Sequence, residues 1–182
     1  MASVTKGRFT LNLGIVKLAT ELSDEDRQCA WELYTEIATR VAVSGKRGDE
    51  ECQNFDGELL KESLDSLYKF FGECRLIMRQ FPVGRIRDDN QQHLGCVIHD
   101  LLAKVLRPFL EKWQVAFRTW WDSEECKCMP LFDRQKEFPD YDEFIQEWSE
   151  VRQIVRSLEQ TLIKEYKLVD LEPTAENVEP II

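Results

Sequence analysis

The sequence predicts an all-α protein, an antiparallel four-helix bundle with a short N-terminal β-hairpin or extended arm, and three apolar ladders carry that prediction. Leu60, Leu64, Leu67, Phe71, Cys74, Met78 and Phe81 recur at alternating steps of four and three residues, as do Phe144, Trp148, Val151, Val155, Leu158 and Leu162. A third stripe runs through Leu94, Val97, Leu101, Val105, Phe109, Trp113, Ala116 and Trp120. Stripes of this period are hidden from water only by packing helix against helix.

Taken in order, Arg8 to Ala19 mixes β-branched and aromatic residues around Asn12-Leu13-Gly14 and reads as a short hairpin turning near Gly14. A lone hairpin is marginal, so its apolar side must lie on the bundle. The first helix starts at Ser23, whose hydroxyl caps it, with Asp24 and Glu25 at the positive end of the helix dipole. Its seam is Ala30, Leu33, Ile37 and Val41, widened by Trp31, Tyr34 and Ala38. The polar stretch from Ser44 to Asn54 ends it.

Asp56 then caps the second helix, and Pro82 stops it because proline has no N–H for the ladder. The third helix is expected from Asn90 to Trp121. Apolar spacing continues on both sides of Pro108, which therefore bends one helix rather than separating two, and the carbonyl near Lys104 needs a new donor. The fourth helix begins near Pro139-Asp140. Residues 1–170 form one domain in this reading, and 171–182, acidic and without period, a mobile tail.

Bulk properties narrow the function. The 182 residues suffice for one core without disulfide or metal staples. A formal charge of -10 opposes extensive nucleic-acid binding, which relies on concentrated Lys and Arg. Residues 1–20 run the other way, with Lys6, Arg8 and Lys17 and no acid. There is neither a secretory leader pattern nor an apolar run of about 18 residues, so a cytoplasmic, reduced protein with no membrane span is expected. No cofactor is predicted. An amphipathic bundle closes within one chain or across two, which leaves a homodimer open.

Candidate chemistry is sparse. His93, Cys96 and Asp100 share one helix face, but Cys126-Lys127-Cys128 lies beyond the far end of that helix, and a C-x-C pair lacks the usual two-residue gap of thiolate zinc sites. Free thiols in a packed cap fit Cys126 and Cys128 better than a metal. Arg87 and His93 have the spacing used by helical ribonucleases of the HEPN type, in which His93 would serve as general acid or base and Arg87 would steady the phosphorane. Asp88 and Asp89 beside the arginine repel phosphate, and the ordinary reading is a solvated helix start.

Charges set among apolar residues form another group: Glu32, Glu36, Arg75 and Arg107. Glu36 precedes Arg40 by four residues, a common helical pair. Arg75 and Arg107 are expected in register-fixing ion pairs, with a pocket for an anionic group as the functional alternative. Aromatics crowd from Trp113 to Trp148. Most must be core, but Trp120 and Trp121 are consecutive and point about 100 degrees apart on a helix, so at least one is a candidate for partner contact.

The segments at 32–42, 66–81 and 101–113, above all LRPFL-x-KW from Leu106 to Trp113, resemble those of a family of small bacterial helical proteins from mobile or defence-associated loci. In that family the tryptophan is often followed by histidine, where this chain has Gln114. The resemblance implies a helical fold and brings no known chemistry. The leading expectation is a non-enzymatic adaptor or sensor that binds a protein through the Trp113–Trp121 end and the adjoining loop, with Arg107 orienting an acidic group. The two classes separate on labelled RNA: the wild type and His93→Ala should both leave it intact, whereas cleavage lost in His93→Ala would establish the nuclease.

Overall fold

The computed structural model describes residues 3–13, 24–80, 94–123 and 129–171. They form an all-α fold with a short N-terminal hairpin. Strands β1 (Ser3–Lys6) and β2 (Phe9–Asn12) pair antiparallel, Ser3 opposite Asn12 and Lys6 opposite Phe9. The turn falls at Gly7-Arg8 rather than near Gly14, which lies outside the described residues. Gly7 has φ +49, a left-handed conformation that side chains rarely adopt, so this turn favours glycine. Phe9 and Leu11 face inward while Thr10 faces out, the period-two pattern of a strand laid on a core.

Helix α1 (Asp24–Ala38) buries Cys29, Ala30, Leu33, Tyr34 and Ile37. It ends a turn earlier than its stripe suggests, because Arg40 is extended (φ -123, ψ 99) and the chain restarts as the short α2 (Val41–Ser44). Val41 is therefore exposed instead of continuing the seam, and Ala42 and Val43 enter the core. Ser23, the expected cap, lies outside the described residues.

Helix α3 (Leu60–Gln80) buries Leu60, Leu64, Leu67, Phe70, Cys74 and Ile77. Phe71 and Met78 border this row instead of filling it. Both α1 and α2 pack on α3, so the buried face is broader than one seam. Asp56 does not cap this helix, which begins four residues later. The Leu60 N–H donates instead to Gln135 Oε1 at 3.0 Å, a cap supplied from another element.

Helices α4 (Leu94–Asp100) and α5 (Arg107–Trp121) are joined by a π-helical turn, Leu101–Leu106. The Arg107 N–H reaches back five residues to the Leu102 carbonyl. Pro108 offers no N–H to the Lys104 carbonyl, and the widened turn just before it is where the ladder slips by one residue. Beyond it the buried row is Phe109, Trp113, Phe117 and Trp121, not Ala116 and Trp120. The segment between α3 and α4, including Pro82, is outside the described residues.

Helix α6 (Leu131–Lys136) occupies the connection that the sequence marks only as a loop. Helix α7 (Tyr141–Tyr166) buries the whole expected ladder and adds Ile154 and Tyr166. It closes with Lys167 in the left-handed conformation and the Leu168 N–H on the Ile163 carbonyl. Of the expected tail only Leu171 is described, and its N–H donates to the Tyr34 hydroxyl at 2.6 Å. Except for α6, every described element contributes to a single apolar cluster.

Glu147 joins three elements beneath the hairpin. Its carboxylate accepts hydrogen bonds from Arg8 at 2.7 Å, Trp113 Nε1 at 2.6 Å and Lys112 at 2.9 Å. No helix among the described residues is long and apolar enough to cross a membrane.

The Gln135 cap yields a direct test. Gln135 is 3% exposed, and its Nε2 also donates to the Glu58 carbonyl at 3.0 Å. Truncation by Gln135→Ala strands a buried N–H and a buried C=O and should destabilise by about 1–3 kcal/mol. Denaturant unfolding should place the neighbouring Lys136→Ala within about 0.5 kcal/mol of wild type.

Candidate functional site

Helix α6 is inside out. Its polar residues Arg134 (6% exposed) and Gln135 are buried, while Leu131 and Phe132, each 51% exposed, and the preceding Met129 face solvent. An ordinary surface helix does the reverse. Two attachments hold it this way. Gln135 grips the backbone at Glu58 and Leu60. The Arg134 guanidinium lies 4.3 Å from the centre of the Trp121 ring, a cation–π contact that leaves its Nε and Nη2 without hydrogen-bond partners.

Beneath α6 lies the aromatic cluster anticipated from the sequence. Phe117 contacts Trp120, Trp121, Phe138 and Phe144 with ring centres 5.2–5.7 Å apart. Trp113 and Trp121 are both buried in this packing. Trp120 is half-buried at its edge, in contact with Phe138. Of the three tryptophans considered for partner contact, Trp120 alone offers a substantial exposed surface.

Two clefts open beside this face. One, of about 340 Å³, lies between the 53–57 loop, α6 and the start of α7, with Phe55, Phe132, Tyr141 and Ile145 as its apolar wall. Burial raises the Tyr141 phenol above its ordinary pKa, and the carboxylates of Asp142 and Asp56 add to the effect, so negative charge surrounds this cleft. The other, about 560 Å³, is lined by Thr39, Arg40, Glu58, Glu62, Ser63 and Ser66 among others. Gly57 borders both.

Behind them sits a fully buried arginine. Arg152, 0% exposed, donates through Nη2 to Glu58 Oε2 at 2.6 Å and through Nε to the Ala42 carbonyl at 3.3 Å. It covers the Phe55 ring at 3.9 Å. Desolvation lowers its pKa, opposed by the Glu58 carboxylate. One Arg152 nitrogen, Nη1, and one Glu58 oxygen, Oε1, have no hydrogen-bond partner.

The charges singled out in the sequence are placed differently. Arg75 and Arg107 are both exposed on their helices, so neither lies in the interior. Glu36 does pair with Arg40 at 2.6 Å, and half-buried Glu32 accepts a hydrogen bond from Gln28. Among the described residues the buried arginines are Arg134 and Arg152. A faint signal for Arg152 was its place four residues after Trp148, which puts it on the same inward face. For the α6 face the signal was the apolar run Met129-Pro130-Leu131-Phe132 within a polar connection.

Arg87, His93, Cys126 and Cys128 lie outside the described residues. Among the described residues no group of three or more His, Cys, Asp or Glu side chains could hold a metal ion. Burial, reinforced by Glu32 and Asp26, pushes the Cys29 thiol up to about 12, and desolvation raises Cys74 further. Both are protonated at neutral pH and behave as small core residues.

No family model, curated protein or solved structure matches the chain.

Because Trp121 is buried beneath Arg134, Trp121→Ala is expected to act on folding. It should cost about 3–5 kcal/mol, readable as a lowered denaturant midpoint. An unchanged midpoint would contradict the packing described for this end of the molecule.

Proposed function

We propose that the protein is a non-enzymatic helical adaptor or sensor that holds a protein partner against the outer face of α6 and the adjoining edge of Trp120. The observation that carries this reading is the inverted burial of α6, with Leu131 and Phe132 outward and Arg134 and Gln135 inward. Exposed neighbouring apolar side chains on an anchored helix suit desolvation by a partner, because the unbound face gains nothing from water and is already ordered. The long helical segments act as an antiparallel bundle scaffold that fixes this face, and Arg107 on the solvent side orients an acidic group. Resemblance to helical proteins of defence-associated loci supports a cytoplasmic partner from such a system.

The test replaces the apolar face without touching its anchors. The double variant Leu131→Asp, Phe132→Asp should unfold within about 0.5 kcal/mol of wild type, since both residues are exposed. Affinity purification from the native cell, compared with the wild type, should lose the proteins that the wild type retains. Equal recovery of every partner by the two forms would remove the α6 face from binding.

A further inference from the structure

The clefts on the two sides of Gly57 differ in chemistry. The smaller has the apolar wall Phe55, Phe132, Tyr141 and Ile145, continuous with the exposed α6 face through Phe132. In the larger, the donors with assigned bonds are already committed. The Thr39 hydroxyl donates to the Thr35 carbonyl, the Ser63 hydroxyl to Glu58 Oε2, and the Arg40 guanidinium to Glu36. Acceptor capacity remains. Glu58, whose side chain is nine-tenths buried, lines this cleft with Oε1 unpartnered, and exposed Glu62 stands on the same wall. Oε1 is itself buried and Glu58 is already paired with Arg152, so the accessible negative charge on this wall is that of exposed Glu62, and a cationic donor gains most there.

We infer that these two clefts, which share Gly57, take a protein segment that seats a large apolar side chain against Phe132 and Tyr141 and a nearby lysine or arginine against Glu62. The inference rests on reading the α6 face as partner-binding, and it adds the chemistry of the partner. Charge favours the same class of ligand, because exposed Asp56 lines the apolar seat and exposed Asp142 acts on its Tyr141, with Lys136 as the exposed cation on its wall. An acidic segment would meet Glu62 and Asp56 as like charge.

A displayed library of short random peptides, selected on the full chain, reads this out. Enriched sequences should share an aromatic or large aliphatic residue at a constant spacing from Lys or Arg. Replacing either position of a selected peptide by alanine should weaken binding about tenfold or more by calorimetry. The peptide should also bind Glu62→Arg about tenfold more weakly, a surface change that leaves the fold intact, and weaken with added salt.

Peptides that lack a basic position, or that bind wild type and Glu62→Arg equally, would overturn the inference. If those peptides are still lost on Leu131→Asp, Phe132→Asp, the α6 reading stands without it; if they are not, both fall. Failure to enrich any sequence overturns it. Sedimentation showing a dimer that dissolves on Phe132→Asp would assign the clefts to a second copy of the chain and overturn it equally.

Discussion

A fully buried arginine on the longest helix must be neutralised where it lies, and most of the architecture around the candidate site follows from how that is done. Removing Arg152 from water carries a desolvation cost of several kcal/mol, offset only where geometry is good and further hydrogen bonds are made. Glu58 supplies the charge, the Ala42 carbonyl a second acceptor, and Phe55 an aromatic face. Glu58 and Phe55 come from the chain between α2 and α3 and Ala42 from α2 itself, so the ion pair fixes an irregular segment that has little regular structure of its own. Trp148 reinforces it by donating to the same Ala42 carbonyl at 2.9 Å. Breaking one half of such a pair typically costs about 3–5 kcal/mol, because the other charge stays buried.

The same junction sets α6. Once Glu58 is held by the arginine, its carbonyl and the nearby Leu60 N–H form a receptor for the Gln135 amide, which pairs with both. A helix of barely two turns has little stability alone. Its orientation is therefore decided by the one amide that satisfies two buried backbone groups and by the Arg134–Trp121 contact. With those polar side chains committed to the interior, Leu131 and Phe132 have nowhere to go but outward. The exposed apolar face results from a polar constraint, and its order before binding lowers the entropy that a partner must offset.

Five residues before Arg152 on α7, Glu147 plays a related part. It lies one residue before Trp148 and gathers Arg8, Lys112 and Trp113, so the hairpin, α5 and α7 meet on a single carboxylate. The π-helical turn before Pro108 lies between this region and α4. It absorbs the missing proline N–H within a continuous helical run, where the rows on both sides remain buried. Polar groups thus set the relative placement of elements whose apolar faces alone would tolerate several arrangements.

Local sequence determined the helical class, the positions of α1, α3, α5 and α7, the Glu36–Arg40 pair and the aromatic end, because each of these depends on side chains three or four residues apart. It misplaced what depends on distant partners. The cap of α3 came from Gln135, 75 residues away, and no local pattern at Asp56 reveals that. Arg75 and Arg107 sit in sequences as apolar as that of Arg152, yet only Arg152 is interior, since burial of a charge requires a carboxylate brought from elsewhere. Trp121 rather than Trp120 turned inward because Phe117 and Arg134 close around it. Apolar periodicity is written along the chain and can be read there; the pairing of buried polar groups exists only between segments, so tertiary structure alone decided which face of α6 meets water.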